Sequence, residues 1–175
     1  MRNTRYPVTV IDYNVYSEDG IKLIGVTTLQ LPSIEATTQE IKGVGILGTF
    51  DDPISGMFNS MVATMNFNWM DASANVYAIG QRVMFDCRVA LGALEMPTLR
   101  NIAIPERVNL VGKVKKYDPG KREVSTAADA SMEIEIGRMQ QWIGGREVML
   151  FDRISYIYRV NGKDILADIR TAIGG

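Results

Sequence analysis

Most of the chain alternates between apolar and polar residues, which is the pattern of a β-strand with one buried face. The alternation is clearest in the segments 59–69, 81–91, 108–117 and 131–143. In the last segment, Met132, Ile134 and Ile136 fall on one face, and Glu133 and Glu135 fall on the other. A period of two that recurs through both halves of the chain predicts a mainly β protein.

Turn-forming residues divide this β pattern into hairpins. The segment 17–20 (SEDG) ends a first predicted strand, and residues 21–31 are predicted to return beside it as its hairpin partner. Gly144 and Gly145 predict a tight turn between two later strands. Residues 92–105 contain two prolines and are predicted to form a loop. Several strands exceed the usual length of about five or six residues, so long hairpins are expected.

The C-terminal residues show helical spacing instead. Leu166, Ile169 and Ile173 fall on one face of a helix predicted over 164–173. Asp164 is expected to cap this helix by accepting a backbone N–H group. An amphipathic helix at this position needs an apolar surface to cover it, from the same subunit or from a neighbour.

Together these patterns predict that residues 1–175 form a single, mainly β domain. The expected fold is an antiparallel β-sandwich or barrel with long hairpins, one short flanking helix over 73–79, and the C-terminal helix. Long, partly polar strands suit a barrel wall or a shared sheet better than a small closed core. A flexible, glycine-rich arm is expected over 43–58.

Composition removes several classes of function. The net charge is 19 − 20 = −1, which does not favour strong nucleic-acid binding. The chain has no histidine and a single cysteine, Cys87, which excludes histidine-based catalysis, most zinc sites and an internal disulfide. No apolar run reaches the ~18 residues of a membrane span, and no apolar signal core is present. We therefore expect a protein made and folded in the cytoplasm, without membrane binding.

Residues 43–48 (GVGILG) match the G-x-G-x-x-G fingerprint of dinucleotide-binding loops, and Asp71 follows at a suitable distance. That fingerprint requires a buried strand before it and a helix after it. Here residues 36–42 are polar, and Pro53 and Gly56 interrupt any helix that would follow. A hairpin arm whose glycines permit close backbone contact is the better interpretation, and no cofactor is expected.

Two carboxylate pairs offer the remaining candidate chemistry. Asp51 and Asp52 carry the ligand type that hard cations prefer, although acidic pairs beside a proline are usually solvent-exposed turns. Glu133 and Glu135 point the same way from one strand, either for acid–base work or as the wet face of a sheet that faces lysines. No catalytic constellation emerges, so no metal site and no enzymatic activity are expected.

Collinear segments across the chain carry a resemblance to a known family. They are residues 14–20 (NVYSEDG), 25–26 (GV), 29–34 (LQLPSI), 42–48 (KGVGILG), 65–69 (MNFNW), 111–120 (VGKVKKYDPG) and 159–174 (RVNGKDILADIRTAIG). In these segments and their order, the chain resembles the major tail tube protein of contractile-tailed bacteriophages, a family shared with R-type tailocins. The last segment is the closest match, whereas residues 71–107 match little.

This resemblance implies an assembly. The domain would be similar to a β-sandwich with a flanking helix, whose long strands join a ring-shaped inner barrel in a hexamer, and the rings would stack into a tube. The arm would reach the adjacent ring and become ordered on assembly. The residues assigned to this contact are Thr49, Phe50, Asp51, Asp52, Pro53, Ile54, Met57 and Phe58. The C-terminal helix, with Asp164, Leu166, Ile169 and Ile173, would pack at a subunit boundary.

The resemblance also implies the partners. Tail sheath protein would surround the tube, the tape-measure protein and then DNA would occupy the lumen, and baseplate and tail-terminator proteins would meet its ends. The location would be the virion tail, after assembly in the host cytoplasm. Since a conduit must not bind DNA tightly, Glu133 and Glu135 are the candidate lumen face.

Two other classes of function remain as alternatives. A monomeric β-barrel that binds a small molecule would show saturable ligand binding and no polymer. A nucleotide-dependent enzyme built on the glycine motif would be stabilised by a nucleotide, but strands alternating with helices are missing from the predicted pattern. Within the tube class, the sequence does not separate a phage tail from a tailocin or another contractile injection device.

Overall fold

The computed structural model describes residues 5–23, 25–43, 45, 47–69, 77–96 and 98–174. Its elements in chain order are β1 (Arg5–Ser17), β2 (Val26–Gln30), β3 (Ala36–Ile41), β4 (Phe50–Phe58), β5 (Val62–Phe67), β6 (Arg82–Glu95), β7 (Arg100–Asp118), β8 (Ala130–Ile143), β9 (Arg146–Asp152), β10 (Ile157–Val160), β11 (Lys163–Asp164) and α1 (Ala167–Ala172). The expectation of a mainly β, antiparallel fold with a C-terminal helix is confirmed. No closed barrel forms within the described residues.

Most strands belong to one antiparallel sheet in the order β1-β6-β7-β8-β9-β10-β11. The first half of β8 also pairs with β5, which in turn pairs with β2, and its second half pairs with β9. The strands β3 and β4 form a separate hairpin. Because β6, β7 and β8 have 14, 19 and 14 residues, the expectation of long hairpins is confirmed.

The hydrophobic core is formed by the apolar residues of the alternating strands, whose buried faces pack against one another. Met61, Ala63, Met65 and Phe67, on and just before β5, are fully buried. They pack with the apolar residues of β6, β7 and β8 in one cluster. Trp69 ends the alternating segment 59–69, but it lies beyond the end of β5 and is exposed. Alternation therefore predicted the buried faces correctly, except where a strand ended earlier than expected.

The strand that pairs with β1 differs from the sequence-based expectation. Residues 21–31 are predicted as its hairpin partner, but β1 pairs with β6 along its length. After β1 the chain forms a single described bridge, between Tyr16 and Lys22, before β2 turns away to pair with β5. β6 has 14 residues and β2 has five, so β6 can satisfy far more backbone groups of the 13-residue β1.

Residues 92–105 do not form the predicted loop, because β6 and β7 continue as a hairpin to the pair Glu95 and Arg100. Pro105 lies inside β7, and its carbonyl accepts a hydrogen bond from the Gly144 N–H at 2.8 Å. Both backbone groups of a strand residue point to the same side, so the Pro105 nitrogen faces the region beyond the end of β8. The proline has no N–H group, but no hydrogen bond between β7 and β8 is lost at this position, because their pairing ends at Glu106 and Ile143.

The C-terminal helix is shorter than the predicted 164–173. Asp164 lies in β11, so it is not the N-cap; its Oδ1 accepts a hydrogen bond from the Leu166 N–H at 3.1 Å, one turn ahead of α1. The N-cap position is Leu166, which provides no side-chain cap. The helix predicted over 73–79 falls largely on residues 70–76, which lie outside the described part of the chain. No helix of the described residues is long and apolar enough to cross a membrane.

Candidate assembly surfaces

The outer half of the β1-β6-β7 sheet extends its apolar face past the core. Within the core, Val15, Cys87 and Val108 form one cross-strand row and are buried. Further out on the same face, another row contains Val10, Leu91 and Ile104. Val10 is exposed, and its two neighbours are half-buried. This part of the sheet thus presents an apolar surface that no other described element covers; we call it the sheet extension (residues 5–12, 89–95 and 100–105).

The strand β1 is also the edge of that extension. Bulges at Val8 and Ile11 shift its register against β6. Tyr6, Val8, Val10 and Ile11 are all exposed. A long edge with exposed apolar side chains is a template for pairing with another chain, and bulges are a usual device for restricting which chains can pair.

Within the predicted arm over 43–58, residues 50–58 form strand β4 of a β-hairpin. β4 pairs with β3 through register positions from Ile41 and Phe50 at the tip to Ala36 and Phe58 at the base. Thr49 precedes the strand. Strand pairing prevails over the local Pro53 and Gly56 signals because β3, read as polar and β-capable, lies alongside. We call residues 36–58 the arm hairpin.

The tip and the base of the arm hairpin differ in burial. Phe50, Asp51, Asp52, Pro53 and Met57 are exposed, while Ile54 and Phe58 are half-buried. The sequence analysis grouped all of these residues as one inter-ring contact. The structure separates them into a solvent-facing tip and a base that lies against its own subunit.

Aromatic contacts hold the base of the arm hairpin. The Phe58 ring meets Phe151 of β9 edge to face at a centroid distance of 4.9 Å, and Tyr158 of β10 at 5.3 Å. Gly56 has a φ of 83°, and a Cβ there would approach the Tyr156 hydroxyl to 2.6 Å. The hairpin base therefore packs on the β9–β10 turn, and this packing needs a glycine at position 56.

The C-terminal segment supports the same turn. Leu166 is buried and lines a groove of about 380 Å³ together with Gly56 and Phe58. Arg170 donates one hydrogen bond to the Tyr156 carbonyl at 3.2 Å and another to Asp164 at 2.8 Å. The hydrogen bond from Arg170, followed by that from the Leu166 N–H, lowers the pKa of Asp164. Arm hairpin, turn and C-terminal segment thus form one connected unit.

The predicted apolar face of the C-terminal helix has two environments. Leu166 points into the subunit and Ile169 is half-buried, but Ile173 is exposed. Ile165 is exposed as well. The part of this face that remains uncovered in the single chain is small and lies beside the helix end.

Glu133 and Glu135 share the polar face of β8, as predicted, and each faces a lysine. Lys116 lies 3.4 Å from Glu133, and Lys115 lies 3.5 Å from Glu135. A bulge at Lys115 puts both lysines on this face, which strict alternation does not predict. Burial disfavours ionisation of Glu135, but hydrogen bonds from the Ser60 hydroxyl and the Met61 N–H outweigh it and lower its pKa. The row is thus nearly neutral.

An ionic cluster around one buried carboxylate on the same sheet was not predicted from the sequence. Asp86 of β6 is buried and accepts hydrogen bonds from Arg88 at 2.9 Å and from Arg107 at 2.7 Å. Arg88 and Arg107 are direct cross-strand neighbours, so Asp86 separates two like charges. Arg88 also lies over the Tyr16 ring at 4.7 Å. In the sequence, this cluster is indicated only by a charged residue, Asp86, that stands between the apolar residues Phe85 and Cys87 of an alternating segment.

The geometry gives no support to the enzymatic readings of the sequence. The described chain after the glycine motif enters strand β4 at Phe50 and not a helix, as the dinucleotide-binding fingerprint would require. Within the described residues, no group of three or more potential ligands could hold a metal ion. Burial, followed by the Asp86 charge, raises the pKa of the Cys87 thiol to about 12, which makes it an inert core residue.

Comparison with known proteins agrees with the fold. The profile of the phage tail tube protein FII family matches residues 7–174. Among solved structures, the sheath/tube terminator of PVC, an extracellular contractile injection system, in its extended state is similar with a TM-score of 0.52 and 14% identity. The match covers 78% of this chain and 97% of that chain. No match is found among curated proteins.

The chain belongs to the phage tail tube protein FII family. It is therefore a structural component of a contractile tail, as the resemblance in the sequence implied.

Proposed function

We propose that copies of this chain join through their sheet extensions into hexameric rings, which stack to form the inner tube of the tail. The observation that supports this most directly is the uncovered apolar row Val10, Leu91 and Ile104, which continues the face of the core. A neighbouring copy placed on this face and edge would bury the apolar side chains and occupy the β1 edge. The hexameric number rests on the family resemblance.

The arm hairpin is proposed as the contact between successive rings. Phe50 is exposed at its tip and Met57 is exposed near its base, which together is more apolar surface than a hairpin in solvent needs. Its base is fixed by Phe58, so a contact made at the tip would be held in a defined direction. Ordering on assembly would then concern the tip of the hairpin more than its paired strands.

The C-terminal segment is proposed to lie near a subunit boundary. Exposed Ile165 and Ile173 flank the buried Leu166 and would be covered there. Because Arg170 ties this segment to the turn beneath the arm hairpin, a partner on the C-terminal helix would also stiffen the arm base.

The lumen is proposed to carry the tape-measure protein and then DNA. A neutral wall suits this role, since each free cation in the wall would attract phosphate and slow passage. The pairs Lys116–Glu133 and Lys115–Glu135 would satisfy this condition by cancelling charge. Sheath protein would surround the tube, and baseplate and terminator proteins would bind its ends. The tube would assemble in the host cytoplasm, and its role involves no catalytic step.

Electron microscopy of the purified protein at high concentration tests the assembly. Hollow tubes or stacked sixfold rings are the expected particles. If the protein stays monomeric even when isolated baseplates are added as nuclei, the ring proposal is wrong. Saturable binding of a small apolar ligand by such a monomer would then favour the carrier alternative, although the described residues form no closed barrel to hold it.

A further inference from the structure

A cation-lined groove crosses the polar face of the sheet near the β9–β10 turn. It encloses about 500 Å³. Three of its cationic residues, Arg82 of β6, Lys113 of β7 and Arg138 of β8, lie on adjacent strands. The fourth, Arg153, directly follows β9. Glycines at 112 and 137 form part of its floor, so that a ligand can approach the backbone. We call this feature the cation groove.

The carboxylates around the cation groove do not neutralise it. Lys113 is a direct cross-strand neighbour of Arg82, and it has no ion pair among the described residues. Arg138 lies 3.9 Å from Asp152, whose Oδ1 already accepts hydrogen bonds from two backbone N–H groups of the following turn. Glu135 is the cross-strand neighbour of Lys113 on β8, but it is occupied by Lys115 and the Ser60 hydroxyl. Arg82 is already paired with Glu18 at 2.7 Å. The groove is left with an excess of positive charge.

The tip of the arm hairpin has the opposite character. Asp51 is the direct cross-strand neighbour of Glu40, and these like charges repel each other across the hairpin. Lys42 compensates Glu40 at 3.6 Å. Neither Asp51 nor Asp52 has a cation partner in the part of the chain that the structure describes. Phe50, beside them, is exposed.

We propose that the cation groove receives the arm hairpin tip of a second copy of this chain, with Asp51 and Asp52 placed against Lys113 and Arg138. The two surfaces are complementary in charge: the acidic hairpin tip has no cation partner, and the groove has more cations than carboxylates. Among the described residues, no ion pair joins them within one subunit. Phe50 would lie against the exposed Ile154 at the rim of the groove. This inference rests on the proposed stacking of rings, and it identifies the cation groove as the surface that binds the arm hairpin of the adjacent ring.

A charge exchange tests the pairing. Asp51→Lys with Asp52→Lys, and separately Lys113→Glu with Arg138→Glu, should each reduce the yield of tubes by about tenfold or more, because like charges would then meet. The chain that carries all four changes should recover most of the tubes, since attraction is restored with the signs exchanged. Lys121→Glu with Arg122→Glu, in the exposed loop 119–129, is the matched control for net charge and should assemble normally.

The outcomes separate this inference from the proposed function. If the unaltered chain forms tubes but the chain with all four changes yields no more tubes than either double variant, the groove pairing is wrong. The proposed tube function is then unaffected. If the unaltered chain forms no tubes, both the groove pairing and the proposed tube function are wrong. If the groove variant assembles normally but binds DNA more weakly in a mobility-shift assay, the groove serves nucleic acid and the pairing is overturned.

A disulfide trap covers the case in which a charge variant does not fold. Asp52→Cys with Lys113→Cys should give covalent ladders between copies on a non-reducing gel of oxidised tubes. The native Cys87 is fully buried and should not interfere. Asp52→Cys with Val124→Cys, which uses an exposed loop position, should give none. Ladders of equal strength from both pairs, or from neither pair, overturn the proposal.

Discussion

Arg107 donates two hydrogen bonds to Asp86, from Nε to Oδ1 at 2.7 Å and from Nη2 to Oδ2 at 3.1 Å. The two residues lie on β6 and β7 at the point where the sheet leaves the core and becomes the extension. Arg88 completes the cluster from the other side of the carboxylate. The base of the proposed assembly surface is therefore held by an ionic cluster in addition to apolar packing.

Acid should loosen this cluster. Burial alone would raise the pKa of Asp86, but hydrogen bonds from Arg107 and Arg88 outweigh it, so the pKa lies below its ordinary value. Stability from a carboxylate with a lowered pKa is present above its unfolded value of about 3.9 and is lost as the pH falls through the folded value. Asp86→Asn should therefore cost about 2 kcal/mol at pH 7 in urea unfolding, and less below pH 4.

The control for the Asp86 prediction is Asp129→Asn, at an exposed aspartate without an ion pair among the described residues. It should change the unfolding free energy by less than about 0.5 kcal/mol at either pH. An Asp86→Asn deficit that stays constant from pH 7 to pH 3 would contradict the electrostatic account and point to lost packing.

The sheet extension should tolerate charge in the monomer but not in the ring. Val10 is 55% exposed, and Val15 on the same strand is 1% exposed. Val10→Asp should leave the circular dichroism spectrum and the melting temperature nearly unchanged while abolishing tubes in electron micrographs. Val15→Asp should unfold the protein, because it buries an unpaired charge in the core. Normal tubes from Val10→Asp would remove this face from the interface.

The two phenylalanines of the arm hairpin should act at different stages. Phe58→Ala removes two edge-to-face ring contacts and should cost about 2 kcal/mol, with faster proteolysis within the arm hairpin. Phe50→Ala, at a residue that is 51% exposed, should leave monomer stability unchanged and weaken only tube assembly. Equal effects of both changes on the unfolding free energy would argue against an anchored base and a free tip.

The close approach of β7 and β8 should make Gly112 sensitive to a single methyl group. A Cβ at Gly112 would overlap the Glu135 carbonyl oxygen, whereas at Gly137 the nearest atom is 3.9 Å away. Gly112→Ala should destabilise the protein by about 1–3 kcal/mol in chemical denaturation, because backbone on both strands must shift. Gly137→Ala should be nearly neutral, and a larger loss there than at Gly112 would contradict this register.

The neutral row on β8 yields a test of the lumen. Glu133→Gln frees Lys116 and should slow DNA ejection from tails that carry the variant, without changing tube number or appearance. The matched control is Glu123→Gln, which frees Lys121 from an ion pair of 2.9 Å in the exposed loop 119–129. Similar ejection kinetics for both variants would mean that the Glu133 face does not line the channel.

Much of the fold follows from local pattern. Alternation of apolar and polar residues predicted β5, β8 and the second half of β7 with their buried faces, because the orientation of strand side chains is set by backbone geometry. The Gly144–Gly145 turn was predictable for the same reason, since both residues adopt positive φ, at 59° and 79°. The collinear segments placed the chain in its family, which local chemistry alone could not do.

What the sequence could not determine depends on residues far apart in the chain. Three features depend on which strand lies alongside. β1 pairs with β6 and not with β2, the β6–β7 hairpin continues through Pro105, and β4 of the arm hairpin pairs with β3. The bulge at Lys115, which pairs two lysines with Glu133 and Glu135, and the Asp86 cluster arise from cross-strand register. The sequence by itself determined which faces are apolar and to which family the chain belongs. Tertiary structure decided strand partners and charge pairing, because backbone hydrogen bonds and ion pairs are satisfied by spatial neighbours whatever their distance in sequence.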